Sequence, residues 1–179
     1  MRNDEITGPE RLTDVPAAFE DDLAGLWLRA SDAGGAVGFG IEFDPADVVA
    51  AAQRNADLAR AGSARFITLR RADVLVGVVK LEPGDSVTAH RGMLKLLMVD
   101  PSLQGRGWGR KLVDACIALA ADLGLEQLYL SARSRTGLEE YYTKLGWTEV
   151  GRYPGGVRVA PGDDRDEVWF FLPVGAPAM

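Results

Sequence analysis

The stretch VDPSLQGRGWGRKLVDA, residues 99–115, places three glycines between an apolar run and a helix-like pattern. Gly105, Gly107 and Gly109 occupy alternate positions in it. The polar and basic residues beside them are Gln104, Arg106, Arg110 and Lys111. A glycine loop at the N-terminus of a helix exposes backbone N–H groups that bind anions. The segment therefore predicts an anion-binding loop between a strand and a helix.

Two common nucleotide-binding motifs do not match this stretch. The dinucleotide fingerprint G-x-G-x-x-G needs a small residue where Arg110 stands, and no acidic residue closes the next strand. The nucleotide P-loop pattern G-x-x-x-x-G-K-[ST] does not occur in the chain. The string that does fit is Gln104-x-x-Gly107-x-Gly109, which lies between a buried strand and an amphipathic helix.

That string resembles the acetyl-CoA loop of the GNAT N-acetyltransferase superfamily, Q/R-x-x-G-x-G/A. LLMVDPSLQGRGWGRKLV and, downstream, YYTKLGWTEVGRYPGG extend the resemblance over about residues 92–156. The latter half is most similar to small bacterial members that acetylate antibiotics or toxins. The resemblance implies an acetyl-CoA-dependent N-acetyltransferase that moves an acetyl group directly from the thioester to a primary amine of a small molecule.

Helical and strand patterns fill the rest of the chain. Helices are predicted over residues 15–31 and 45–61, the second capped by Asp44, with the glycine-rich loop 32–40 between them. The later predicted elements are strands at 64–72, 74–82 and 92–100, the helix after the glycine loop, a strand at 126–132, a short helix at 137–146 and a strand pair at 147–153 and 167–173. These patterns indicate an α/β (α+β) fold. The resemblance implies the GNAT fold, a mixed, mostly antiparallel central sheet with splayed middle strands, flanked by helices, as a single domain over residues 1–179.

Composition excludes several classes of protein. The formal net charge of −6 and the pI near 4.9 argue against a nucleic-acid partner. Cys116 and His90 are the only cysteine and histidine, which excludes an internal disulfide and metal sites built on cysteine or histidine. Residues 1–12 have no apolar signal region, and no apolar run approaches membrane length. We therefore expect a cytoplasmic protein with no membrane partner and no metal.

The resemblance also implies which residues hold the acetyl-CoA co-substrate. The backbone of Leu97, Met98 and Val99 is expected to pair with the pantetheine amides, and an N–H near Met98 or Val99 to bind the thioester oxygen. The predicted pyrophosphate-binding residues are Gln104, Gly105, Arg106, Gly107, Trp108, Gly109 and Arg110. A helix N-terminus and basic side chains favour this group electrostatically.

Catalytic residues are less completely indicated. Tyr142 matches the family tyrosine that protonates the leaving thiolate, and Tyr141 is expected in core or cofactor contact. Met93 stands where some members carry a glutamate, and Arg135 stands where many carry an asparagine. The sequence therefore leaves open whether the general base is solvent or the side chain of Glu82, His90 or Asp100.

Several alternatives remain open from the sequence. The two departures from the family pattern leave room for a non-catalytic acyl-CoA-binding or sensing module. The sequence does not decide whether the acetyl group is accepted by a small amine or by a protein N-terminus or lysine. The acidic segment 160–167 is interpreted as a solvated turn, with attraction of a cationic amine as the alternative. A homodimer is left open, and Cys116 is predicted to lie in the core.

Overall fold

The computed structural model describes residues 5–175, in which one seven-stranded sheet carries helices on both faces. The strands are β1 (Ile6–Arg11), β2 (Arg65–Arg71), β3 (Val74–Pro83), β4 (Arg91–Val99), β5 (Gln127–Arg133), β6 (Thr148–Ala160) and β7 (Asp163–Pro173). The α-helices are α1 (Phe19–Asp32), α2 (Pro45–Arg60), α3 (Trp108–Asp122) and α4 (Leu138–Lys144). Short 3-10 turns lie at Ser86–Thr88 and Pro101–Leu103.

The strand order is β1-β2-β3-β4-β5-β7-β6, and only β4 and β5 pair in parallel. Their ladder is limited to three residue pairs, from Arg91 opposite Gln127 to Met93 opposite Tyr129. Beyond Met93 the two strands diverge. The predicted mixed, mostly antiparallel sheet with splayed middle strands is therefore confirmed.

Each face of the sheet has its own apolar core. The α3 core joins α3 and α4 to one face through residues such as Leu112, Leu128 and Phe170. The α1–α2 core joins α1 and α2 to the other face through residues such as Phe19 and Met98. Because side chains alternate along a strand, β4 contributes to both cores, as its nearly continuous apolar sequence predicts.

The end of α1 and the start of α2 leave the glycine-rich loop between them, as predicted. Asp44 caps α2 by accepting a hydrogen bond from the Ala46 N–H at 2.8 Å. The helix predicted over 15–31 begins only at Phe19. No helix between residues 5 and 175 is both long enough and apolar enough to cross a membrane.

Two parts of the sheet differ from the sequence prediction. The edge strand β1 was not predicted, because ITGPER has no apolar alternation and owes its strand conformation to pairing with β2. The segment 160–167 is not a long loop: β6 continues to Ala160 and β7 begins at Asp163. Only a tight turn separates them, and Gly162 there adopts a φ of +80°.

Candidate functional site

A cleft of about 890 Å³ opens where β4 and β5 diverge. One wall consists of residues 97–99 of β4, the glycine loop and the first turn of α3. The opposite wall comes from the end of β5, from α4 and from β6 and β7. The loop that follows α1 lines the cleft with residues 33–37. The divergence of two neighbouring strands thus creates a concave site lined by elements from both faces of the sheet.

The strand β4 contains a β-bulge beside this cleft. Val78 of β3 lies opposite Met98, whereas Lys80 lies opposite Lys95, so β4 carries one residue more than β3 between the two pairs. Leu96 has a φ of +51°, which is unusual for a bulky side chain. Nothing in the sequence marks this bulge, since no glycine stands there. Beyond Met93, the edge of β4 that faces β5 has no strand partner within residues 5–175.

The glycine loop has the geometry that its sequence predicts. Gly105 and Gly107 adopt φ values of +71° and +81°, and a Cβ added to either would meet open space. Gly107 directly precedes α3, whose first N–H groups have no intrahelical acceptor. The Gln104 side-chain amide donates to the Val99 carbonyl at 3.1 Å and so joins the loop to β4. Open backbone N–H groups at a helix N-terminus can bind a phosphate anion.

The basic side chains of the loop differ in position. Arg110 and Trp108 line the cleft, whereas Arg106 is exposed and lies outside its lining. Arg110 is 3.6 Å from the Asp114 carboxylate. The Lys111 ammonium lies 4.0 Å from the centre of the Trp108 ring, within the range of a cation–π interaction.

The two adjacent tyrosines of α4 have different environments. Tyr141 lines the cleft, and its buried hydroxyl has no hydrogen-bond partner among the described residues. Burial raises the pKa of this hydroxyl. A Cβ at position 109 would lie 3.2 Å from the same oxygen, so Gly109 allows the close approach of α3 and α4.

Tyr142 is only 5% exposed and does not line the cleft. Its ring packs against Trp147 and Phe170, with centroid distances of 5.9 and 5.7 Å. Consecutive residues of an α-helix point about 100° apart, which is why only one of the pair reaches the cleft. The cleft lining therefore includes Tyr141 and not Tyr142, and the catalytic role of Tyr142 stays a prediction.

None of the three base candidates lines the cleft. Glu82 lies opposite Met93 in the β3–β4 register and accepts hydrogen bonds from Lys80 and Lys95 at 2.5 and 2.6 Å. Burial opposes ionisation of Glu82, but these hydrogen bonds outweigh it and hold its pKa below the ordinary value. His90 is exposed just before β4.

The Asp100 carboxylate is also hydrogen-bonded to other residues. Its carboxylate accepts hydrogen bonds from Arg29 at 2.7 Å and from the hydroxyl and N–H of Ser102 at 2.7 and 3.0 Å. Burial opposes ionisation of this side chain as well, and the hydrogen bonds nevertheless keep its pKa below the ordinary value. The cleft lining therefore contains no carboxylate or imidazole among residues 5–175.

Every charged side chain in the described lining is an arginine: Arg110, Arg133, Arg135 and Arg165. The nearby acidic residues are paired. Asp163 binds Arg165, and Asp164 binds its cross-strand partner Arg158 at 2.6 and 2.9 Å. These pairings agree with a structural role for the acidic segment.

Cys116 lies fully buried in the α3 core, as predicted. Burial raises the pKa of its thiol to about 12, which makes it a poor nucleophile. In residues 5–175 no group of three or more histidine, cysteine or acidic side chains is arranged to hold a metal ion.

Comparison with known proteins places these features in a wider context. The sequence model of the acetyltransferase (GNAT) family matches residues 39–147. Among solved structures, a Desulfovibrio desulfuricans protein assigned to that family matches with a TM-score of 0.75 at 17% identity, over 96% of this chain and 100% of its own.

Two further solved structures contain coenzyme A. A ribosomal L7/L12 α-N-protein acetyltransferase matches with a TM-score of 0.71 at 15% identity, over 92% of this chain and 98% of its own. An aminoglycoside 6′-N-acetyltransferase matches with a TM-score of 0.70 at 19% identity, over 98% of this chain and 99% of its own. At these identities the likeness shows a shared fold, and the acceptors of the two enzymes differ in kind.

Proposed function

Because the chain belongs to the acetyltransferase (GNAT) family, we propose that it moves the acetyl group of acetyl-CoA to the primary amine of a small molecule by direct transfer. The observation that carries this proposal is the continuity of one cleft. The unpaired edge of β4 leads directly into the glycine loop at the N-terminus of α3. A long, partly anionic ligand with amide groups fits such a combination of strand edge and anion site.

The loop fits the phosphate groups of the co-substrate. The open space over Gly105 and Gly107 lets a phosphate approach the backbone, and the N-terminus of α3 favours negative charge. Arg110 lines the same region and adds a positive charge. We therefore retain Gln104, Gly105, Gly107, Trp108, Gly109 and Arg110 as proposed binding residues, whereas Arg106 stays a prediction because it lies outside the cleft lining.

The edge of β4 is proposed to hold the pantetheine arm. Amide groups can add to an unpaired strand edge through main-chain hydrogen bonds. In this arrangement the Val99 N–H, which the register turns away from β3, donates to the thioester carbonyl oxygen and stabilises the negative charge that develops there. The thioester supplies an activated acetyl group, and the bulge at Leu96 changes the direction of the donors beside it.

Proton transfer is proposed to involve Tyr141. Tyr141 lines the cleft, and its buried hydroxyl has no other partner among residues 5–175 and keeps its proton because burial raises its pKa. It can donate that proton to the departing thiolate and regain one from the attacking nitrogen, which loses a proton as the amide forms. Tyr142 remains the alternative that rests on the family resemblance. Since the described lining contains no carboxylate or imidazole, the amine is proposed to lose its proton to solvent before attack.

A small acceptor fits the shape of the cleft better than a folded protein. The Ile41 N–H donates to the Val159 carbonyl at 2.9 Å and ties the loop after α1 to β6. At Gly40, an added Cβ would lie 2.6 Å from the same carbonyl, so the contact is close. This bridge joins two parts of the cleft lining, Ile41 and Val159, and supports the choice of a small acceptor.

The experiment that tests this function measures release of the coenzyme A thiol from acetyl-CoA with a panel of small amines. Turnover with a small amine, and none with peptide N-termini or peptide lysines, supports the proposal. Turnover with the peptides alone would make the protein acetyltransferase the correct reading. Binding of acetyl-CoA without turnover of any amine would favour the sensing module.

A further inference from the structure

Three of the four arginines of the cleft are divided between the two faces of the sheet, since Arg110 belongs to α3 whereas Arg133 and Arg165 lie on the opposite face. In β5, Leu128, Leu130 and Ala132 point into the α3 core. Because side chains alternate, Arg133 projects from the opposite face, which carries α1 and α2. In β7, Val168 and Phe170 belong to the α3 core, so Arg165 lies on the same face as Arg133.

This division separates the two substrates. The glycine loop begins α3 and therefore lies on the α3 side of the sheet, where the phosphates of acetyl-CoA are proposed to bind. A thioester held in the gap between β4 and β5 is then open to attack from the other face. The walls of the cleft on that face are the end of α1, the loop after it, Val159, Arg133 and Arg165. The acceptor therefore meets Arg133 and Arg165.

Of these two arginines, only Arg165 has a carboxylate partner. It binds Asp163 and also donates to the Arg135 carbonyl at 3.5 Å. Arg133 lies opposite Glu167 in the β5–β7 register, yet it forms no salt bridge within residues 5–175. Arg133 is a half-buried residue of the cleft lining. Burial, followed by the charge of Arg165, lowers its pKa, and Asp163 only partly offsets this.

A half-buried arginine without a counter-ion, beside a second arginine, has an unfavourable electrostatic environment that a bound anion relieves. An arginine also presents a planar set of donors that matches a carboxylate. We propose that Arg133, assisted by Arg165, binds a carboxylate of the acceptor, so that the enzyme acetylates amines that carry an acidic group, such as free α-amino acids, in preference to polycationic amines. This inference rests on the proposed function, because it names the acceptor of the same reaction.

The first experiment compares kcat/KM for L-alanine, L-leucine and L-phenylalanine with the values for their carboxamides and for spermidine. The carboxamide is the less basic amine and has the larger reactive neutral fraction. A preference for the free acid therefore comes from binding and not from protonation. We expect the acids to exceed both the carboxamides and spermidine by about tenfold or more. A preference for the carboxamides or for spermidine would overturn the proposal.

Variants assign the effect to Arg133. R133M is expected to raise KM for the amino acid by about 10- to 100-fold, with the carboxamide unaffected and KM for acetyl-CoA changed less than about twofold. R133K should recover part of the loss because it keeps the charge. The matched control is R158M, which removes an exposed arginine of β6 that pairs with Asp164 outside the cleft.

Two further measurements separate the other outcomes. If R133M instead raises KM for acetyl-CoA, and 3′-dephospho-acetyl-CoA abolishes the difference, Arg133 binds a cofactor phosphate and the proposal is wrong. If no amine is turned over, calorimetry on the coenzyme A-saturated protein compares N-acetyl amino acids with N-acetyl amino acid amides. Equal affinities would overturn the carboxylate site. Failure of coenzyme A itself to bind would count against the proposed function instead.

Discussion

Gly107 adopts a φ of +81° directly before α3, and an added Cβ would meet open space there. Glycine is thus required by the backbone conformation, while the space beside it remains free for a ligand. Tyr141 and Arg133 are likewise side chains of the cleft that lack a hydrogen-bonding or charged partner in the described part of the chain. Residues of one cleft that have open space, an unpaired hydroxyl or an unpaired charge are candidates for contact with a ligand.

The substitution G107D tests the anion site. The new carboxylate would occupy the phosphate position and repel the ligand, so we expect calorimetry to detect no coenzyme A binding. The matched control is G124D, because Gly124 lies just beyond the other end of α3 with a φ of +73° and equally open surroundings. G124D should lose about 1 kcal/mol of stability from the strained φ, and G107D should lose less, because the N-terminus of α3 favours the new negative charge. Full binding by G107D would disprove the loop assignment.

The substitutions Y141F and Y142F test which hydroxyl donates the proton. Y141F should lower kcat by about 10²- to 10⁴-fold with little change in coenzyme A affinity, because the ring remains and only the donor is lost. Y142F should leave kcat nearly unchanged, since its hydroxyl does not line the cleft. The reverse pattern, measured by thiol release where chemistry limits the rate, would restore the family assignment to Tyr142.

The pH dependence of kcat/KM tests the absence of an enzyme base. The pKa values of Glu82 and Asp100 are lowered, so both side chains are already ionised near neutral pH and neither adds an inflection there. The rate should therefore rise with pH toward the pKa of the amine itself, and this inflection should move when a less basic amine is used. Two amines with one shared inflection that disappears in E82Q or H90A would rule out deprotonation by solvent.

At the scale of elements, the sequence indicates the anion loop better than the strand that leads to it. Gly105, Gly107 and Gly109 mark the loop because few other residues tolerate its backbone geometry or close packing. The bulge in β4 has no such mark, since Leu96 takes a positive φ under the constraint of pairing with β3. The edge strand β1 was also not predicted, because its sequence lacks apolar alternation.

The sequence also does not determine how neighbouring elements are oriented and aligned relative to one another. The motif YYTKLGW identifies α4, but which of Tyr141 and Tyr142 faces the cleft depends on the rotation of the helix against the sheet. The acidic residues of segment 160–167 read as a turn until the β6–β7 register places Asp164 opposite Arg158. Packing and register, rather than residue type, decide such features.

The unpaired edge of β4 makes a prediction for hydrogen exchange. Amides of residues 94–99 that face β5 should exchange quickly in the free protein and become protected when coenzyme A binds, because the pantetheine amides supply the missing partners. Amides of β3 should change little, since β3 pairs with strands on both sides. Mass spectrometry of peptides from the two strands measures both, and unchanged exchange in β4 would contradict strand-edge binding.

At the scale of the whole molecule, two apolar cores lie on opposite faces of one sheet, in which β4 and β5 diverge at one end. The α3 core lies beside the glycine loop, and the α1–α2 core lies beside the loop after α1 that lines the cleft. We propose that the chain forms one domain, because residues from both cores line the same cleft. The acetyl donor and the amine can then approach the gap between β4 and β5 from opposite faces.

The most direct test of this account is the effect of acetyl-CoA on the free energy of unfolding. The dissociation constant is first measured by calorimetry, and urea unfolding is then compared with and without the ligand. At about a hundred times its dissociation constant, a ligand that binds only the folded state adds about 2.7 kcal/mol. We expect this increase for the wild-type protein and none for G107D. No heat of binding, together with an unchanged unfolding midpoint in the wild-type protein, would contradict the assignment of the cleft to acetyl-CoA.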